Sequence, residues 1–220
     1  MLSLSDIHDQ IRGTSARVLA VSKHQSVEKI QALYDQGQRE FAENYVQEAL
    51  EKITLLSHVP DIKWHLIGPL QKNKIKYLKN HFHLIHSVHS LEIATLINQK
   101  CEELKHTQKI LLQVNLANEN SKSGFSKESL KTAWPDLVRL KNLRLCGLMT
   151  MPPLQENPNE NRKYFQELKQ LLDVFINQPG EIHHPMNELS MGTSSDYQVA
   201  AEAGATIIRI GTILFGERQK

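Results

Sequence analysis

The sequence predicts an α/β fold, a single (β/α)8 barrel of the TIM type spanning residues 1–220 with a short N-terminal helix. Three observations carry that prediction. Short apolar runs alternate with longer amphipathic stretches along the chain, and strand–helix alternation implies parallel strands joined by crossover helices. The runs are continuously apolar, so both faces of each strand are covered. Eight such units use nearly all of the 220 residues, a length that suits a closed eight-stranded barrel. An open doubly wound sheet is the alternative with the same alternation.

The first strand is Val18–Val21, and a helical pattern follows from Ser26 until Gly37 stops it. The second is Glu40–Ala42, with a helix from Tyr45 to about Leu56. Trp64–Ile67 ends at Gly68-Pro69 and leads to a helix from Lys72 to Leu78. Leu84–Val88 is followed by a helix from about Ser90 to Leu104. Ile110–Val114 breaks at Asn115, and Ser126 is the N-cap type residue that opens the next helix. Leu143–Met149 ends before Pro152-Pro153. The longest helix comes next, with Phe165, Leu168, Leu171, Leu172 and Phe175 at helical spacing and Pro179-Gly180 to close it. Glu188–Ser190 is a short seventh strand, and its helix runs from Ser195-Asp196 to Gly204. Ala205–Ile210 is the eighth, broken by Gly211.

Composition excludes several classes. An apolar fraction of 40% and a charged fraction of 23% are ordinary globular values, so disordered, collagen-like and disulfide-scaffold chains are out. Lys and Arg total 26 against 24 acids, and a formal charge of +2 gives no argument for a nucleic-acid or membrane partner. Cys101 and Cys146 are far apart, with no CxxC or metal spacing, which suits a reducing compartment. The start, MLSLSDIHDQIRG, is no signal peptide, and no apolar run approaches the roughly 20 residues of a membrane span. A cytoplasmic monomer is the expectation.

In such barrels the active site lies at the C-terminal ends of the strands. Strand one delivers Ser22-Lys23 there. A lysine at the end of a buried strand is desolvated, and its neutral amine can attack an aldehyde or ketone to form a Schiff base. The plain alternative is a lysine that snorkels to solvent. Strand seven delivers Ser190 to Asp196, with four hydroxyls and a glycine where a helix begins, and strand eight delivers Gly211-Thr212. Loops after strands seven and eight form the usual phosphate site of these barrels. N-capping by Ser195 or Asp196 explains one hydroxyl but not two Gly-Thr elements. A ligand with a phosphate at one end and a carbonyl at the other fits both features. Pyridoxal 5′-phosphate is such a ligand, and a phosphorylated sugar in a Schiff-base aldolase is another.

Long ordered motifs then resemble one family, the YggS-like pyridoxal phosphate homeostasis proteins. They are V-L-A-V-S-K (18–23), F-A-E-N-Y-V-Q-E (41–48), W-H-L-I-G-P-L-Q-K-N-K (64–74), N-E-N-S-K-S-G (118–124), G-L-M (147–149), L-S-M-G-T-S-S-D (189–196) and R-I-G-T-I-L-F-G (209–216). The resemblance implies an alanine-racemase-like barrel of the fold-type III class, without that enzyme's second β-domain. It implies pyridoxal 5′-phosphate held as a covalent aldimine on Lys23, with phosphate contacts from Ser190, Gly192, Thr193, Gly211 and Thr212. It places Arg209 against the pyridine nitrogen or the phosphate end, and Asn44, His65 and Met149 around the cofactor. The family often has methionine where this chain has Thr193.

The implied role is non-catalytic: a carrier or reservoir in vitamin B6 homeostasis, with pyridoxal-phosphate-dependent apoenzymes as clients. A guanidinium on the pyridine nitrogen keeps it unprotonated and makes the cofactor a weak electron sink. The alternative is another pyridoxal-phosphate-dependent enzyme, or a weak amino-acid racemase. It needs a second acid–base group, which this barrel's relatives supply from another domain, and the tail Gln219-Lys220 leaves no room for one. The basic run Gln71–Lys79 puts Lys72, Lys76 and Lys79 on one helical face, read as solvated, with a docking patch as the alternative. Alternation sends His81 and His83 to one face and His86 to the other, and His183-His184 point apart, so no metal site is expected.

Overall fold

Ser3 starts the first helix through a capping box: its hydroxyl accepts from the Asp6 N–H, and the Asp6 carboxylate accepts from the Ser3 N–H. That helix, α1 (Leu4–Gln10), buries Leu4 and Ile7. The structure, a computed structural model, describes residues 2–119, 122–176 and 184–216. Strand–helix units then follow in chain order: β1 (Arg17–Val21), α2 (Val27–Asp35), β2 (Glu40–Glu43), α3 (Val46–Leu55) and β3 (Lys63–Leu66). A 3-10 helix, Lys72–Tyr77, leads to β4 (Phe82–Val88) and α4 (Leu91–Glu103). The second half is β5 (Gln108–Val114), α5 (Lys127–Leu137), β6 (Leu143–Thr150), α6 (Arg162–Ile176), β7 (Glu188–Ser190), α7 (Tyr197–Glu202), β8 (Ile207–Ile210) and α8 (Thr212–Phe215).

All eight strands are parallel and form a closed barrel in sequence order. Closure is made by β1, whose Arg17 to Ala20 pair with Ile207 to Ile210 of β8. That pairing excludes the open doubly wound sheet. The apolar residues divide into two cores. One lies between sheet and helices and includes Ile30, Phe41, Ile85, Ile97, Leu112 and Phe165. The other fills the barrel interior with Leu19, Ala42, Leu84, Leu111, Cys146, Met149 and Ile207. Each fully buried Leu, Ile or Phe contributes roughly 1.5–3 kcal/mol, so the continuous strands are where the fold's stability concentrates. Five apolar residues of α6, Phe165, Leu168, Leu171, Leu172 and Phe175, are buried, and Phe175 meets Trp134 of α5 at 4.3 Å between ring centroids.

Two local expectations change. The basic run is a 3-10 helix, so at three residues per turn Lys72 leaves the face of Lys76, and Lys72 pairs with Glu92 of α4. The β3–β4 ladder shifts register between Trp64 and His65, which alters the alternation on β4. Pro179-Gly180 and Gln219-Lys220 lie outside the described residues.

Candidate functional site

The C-terminal ends of the strands surround a cavity of about 290 Å³. Lys23 enters it from just beyond β1, Asn44 from beyond β2 and Arg209 from β8. Thr193, Ser194 and Ser195 form the wall beyond β7, and Gly211 and Thr212 the wall beyond β8. Val21, Ile67 and Met151 supply apolar surface.

The turn carrying Lys23 is fixed from behind by a buried ionic cluster. Glu43, fully buried at the end of β2, accepts from the Ser22 hydroxyl at 2.6 Å and from Lys52 Nζ at 2.8 Å. Lys52 also donates to the Ser22 carbonyl at 2.7 Å and to Glu48 Oε1 at 2.7 Å. Glu48 in turn accepts the His24 N–H at 2.6 Å. Residues 22 and 24 are therefore both held, and Lys23 between them is half-buried at the cavity. Burial pushes the Glu43 carboxyl above its usual range, against Lys52 and Ser22. Burial also opposes ionisation of Glu48, but Lys52 and the His24 N–H overcome it and lower its pKa.

Asn44 comes from the same stretch. A Cβ on Gly68 would stand 2.1 Å from the Asn44 carbonyl, so only glycine lets β3 end this close to it. The Asn44 amide oxygen is buried with no hydrogen-bond partner among the described residues, an acceptor not spent within the fold.

The loop after β7 is shaped by Asp196. Its carboxylate accepts the Thr193 N–H at 2.7 Å, the Thr193 hydroxyl at 3.1 Å and the Asn161 amide at 2.8 Å. The Gly211 N–H donates to the Ser194 hydroxyl at 3.3 Å, joining the two loops. Gly192 has φ +86°, and its α-carbon packs where a Cβ would lie 2.5 Å from the Ala200 Cβ.

Arg209 is buried, yet its partners are neutral. Nη1 donates to the Ser190 hydroxyl at 2.8 Å and Nη2 to the Thr150 carbonyl at 2.9 Å. Burial lowers its pKa to about 10, with Asp196 opposing, so it stays a cation at neutral pH. Beneath it a polar chain crosses the barrel interior. Ser190 Oγ lies 2.8 Å from His86 Nδ1, and His86 Nε2 lies 2.8 Å from His65 Nδ1. His65 Nε2 has no hydrogen-bond partner and faces Glu40 Oε2 at 3.9 Å. Arg209 only donates, so the Ser190 hydroxyl accepts from it and passes its own hydrogen to His86 Nδ1. His86 then donates to His65, and the Nε2–H of His65 meets the Glu40 carboxylate. The reverse arrangement would set a nitrogen lone pair against that carboxylate. Burial, reinforced by neighbouring cations, holds both imidazoles well below their usual range, hence neutral.

Of the sequence-predicted residues, Lys23, Asn44, Thr193, Arg209, Gly211 and Thr212 come together on the cavity wall. Ser190 sits one layer below, on Arg209 and His86. Gly192 lies behind the wall, against α7. His65 and Met149 are inside the barrel and do not line the cavity. Residues not anticipated are Ser194, Ser195, Val21, Ile67 and Met151. The two serines stood within the hydroxyl-rich stretch. Met151 carried no signal, because Met149 two residues earlier is the one on the predicted strand.

The histidines differ from expectation. His83 and His86 do not diverge: both rings approach His65, with centroids at 5.4 and 5.1 Å, as the β3–β4 register shift allows. His183 lies outside the described residues. Among the described residues no group of three His, Cys, Asp or Glu could hold a metal ion, and no helix is long and apolar enough to cross a membrane.

Comparison with known proteins gives a consistent picture. The family described as alanine racemase, N-terminal domain, matches residues 4–219. The pyridoxal phosphate homeostasis protein of Synechocystis is 47% identical over 93% of this chain and 92% of its own length. PipY of Synechococcus elongatus, solved with PLP bound, superposes with a TM-score of 0.89 at 37% identity, covering 97% of this chain and 98% of PipY. Alanine racemase of Clostridium difficile has a TM-score of 0.74 at 18% identity, a likeness of fold, and this chain covers 56% of it.

Proposed function

The chain belongs to the family of pyridoxal phosphate homeostasis proteins, and from that premise we propose that it binds pyridoxal 5′-phosphate at the barrel mouth and acts in vitamin B6 homeostasis. Lys23 is its covalent anchor, joined to the cofactor aldehyde through Nζ. One observation carries the reading: an amine, a guanidinium and a hydroxyl-rich double loop line a single cavity of about 290 Å³ with an apolar side. That donor set matches a ligand with an aldehyde, a flat ring and a phosphate. The group supplies, when bound, an electrophilic carbon and a ring that can draw electrons. The chain's own residues bind and orient. Thr193, Ser194, Ser195 and Thr212 offer hydroxyl donors for the phosphate, and Arg209 offers a fixed cation. Asn44 brings its unpartnered amide oxygen, while Val21 and Ile67 cover ring faces.

The role is that of a carrier or reservoir for client apoenzymes rather than an enzyme. Racemisation needs an acid–base group on each face of a substrate. Among the described residues on the cavity wall, Lys23 and Arg209 are the ionisable side chains, and Arg209 stays charged, which leaves Lys23 as the one candidate for acid–base work. Both cysteines are free and buried, which suits a reducing cytoplasm. Titration with pyridoxal phosphate tests binding: a saturable visible absorbance band, absent in Lys23→Ala, is expected, and no band in the wild type refutes the reading. Deuterium exchange at the α-carbon of amino acids tests the role. No exchange above that of free cofactor is expected. Faster exchange that disappears in Lys23→Ala would establish the racemase reading instead.

A further inference from the structure

At the opposite end of the barrel, the first residues of β3, β4 and β5 and the turns before them enclose a second cavity, of about 310 Å³. Its wall carries Lys63, His81, His83, His106 and Lys109, and no carboxylate among the described residues lines it. Behind the wall, Glu40 Oε1 lies 3.5 Å from Lys63 Nζ. Glu40 is already engaged, because its Oε2 accepts Arg17 Nε at 2.9 Å. Two lysines and three imidazoles converge on a wall that itself carries no carboxylate among the described residues, while Glu40, shared between Arg17 and Lys63, stands behind it. We propose that this cavity is a second ligand site, separate from the barrel mouth, and that it takes a phosphate-class dianion, either inorganic phosphate or a phosphate monoester.

Lys109, and Lys63 whose charge is shared with Glu40 at 3.5 Å, attract a dianion, and the imidazoles add donors at a tetrahedral oxyanion's remaining oxygens. The field at the cavity shows what an anion would relieve. Burial and then Lys109, with Lys63 and Arg17, hold His83 below its usual range, and Glu40 only partly opposes them. The neutral His65 ring packs on the same imidazole. Burial and Lys79 lower His81 in the same way. A bound dianion reverses that field, so His83 and His81 take up protons as it binds, and binding strengthens as pH falls through their titration range.

The test is side-chain histidine NMR on the full chain at pH 6.5. Sodium phosphate and methyl phosphate are titrated separately, each against sodium chloride at equal ionic strength. Saturable shifts of His81, His83 and His106 are expected, with an upward move of the His83 midpoint. The anion that saturates at lower concentration identifies the source, free phosphate or ester. The variant Lys63→Ala/Lys109→Ala is expected to bind at least about tenfold more weakly, since it loses two charge-assisted contacts. If that variant does not fold, Lys109→Ala alone, at an exposed side chain, carries the comparison. Shifts no different from those in chloride, or saturation unchanged in the lysine variant, would overturn the proposal.

Discussion

Behind Lys23, a carboxylate with no access to water depends on one ammonium. Glu43 is held by Lys52 Nζ at 2.8 Å and by the Ser22 hydroxyl at 2.6 Å. Lys52→Met leaves it with the hydroxyl alone, and breaking a buried pair in this way costs roughly 3–5 kcal/mol. Glu43 limits the loss only by taking a proton, which burial already favours. Urea unfolding of Lys52→Met is therefore expected to show a large loss of stability at pH 7 and a smaller one at pH 5. Adding Glu43→Gln is expected to restore part of it, and equal loss at both pH values would contradict the account. Lys23 is legible in the sequence because it ends an apolar strand. Lys52 is not, because Glu48 and Lys52 form an ordinary i,i+4 helix pair with no mark of burial, and only the fold turns Lys52 inward to 9% side-chain exposure.

At the scale of elements, the loop between β7 and α7 shows where sequence reasoning reaches its limit. Its hydroxyls announce an anion site, but which of them face the cavity depends on Gly192 and Asp196. The positive φ of Gly192 turns the chain, and the Asp196 carboxylate gathers the Thr193 N–H and hydroxyl. That geometry tucks Ser190 below the wall and brings Ser194 and Ser195 onto it. Gly192→Ala adds a methyl 2.5 Å from Ala200 and a left-handed backbone cost of roughly 1–2 kcal/mol. Weaker pyridoxal phosphate binding in a titration is the expected outcome, with the fold retained by circular dichroism. Unchanged affinity would show that the loop does not need this turn. The strands were legible throughout, since coverage on both faces leaves continuous apolar runs. The 3-10 helix at Lys72–Tyr77 and the β3–β4 register shift were not, because both are set by tertiary packing rather than by local pattern.

The whole barrel carries a pH dependence in its interior. His65 and His86 are fully buried and neutral, with pKa values held well below the ordinary 6.5. In the unfolded chain they protonate below about pH 6.5. There the unfolded state binds more protons, so stability falls as pH falls, and above that pH the pair contributes no slope. Each histidine adds up to about 1.4 kcal/mol per pH unit below the unfolded value. Denaturant unfolding between pH 7.5 and 5 is expected to lose stability steeply below 6.5, with a shallower fall in His86→Asn. A flat profile would mean that His65 and His86 are not neutral as described.

Whether Lys23 is the residue that holds the cofactor can be read directly by one chemical experiment. The protein is incubated with pyridoxal 5′-phosphate, reduced with borohydride, digested and mapped by mass spectrometry. A single stoichiometric pyridoxyl adduct on the peptide containing Lys23 is expected, protected from competition by other lysines because its turn is fixed by Glu43, Lys52 and Glu48. An adduct on a different lysine, or modification scattered over several surface lysines with none at Lys23, would contradict Lys23 as the anchor.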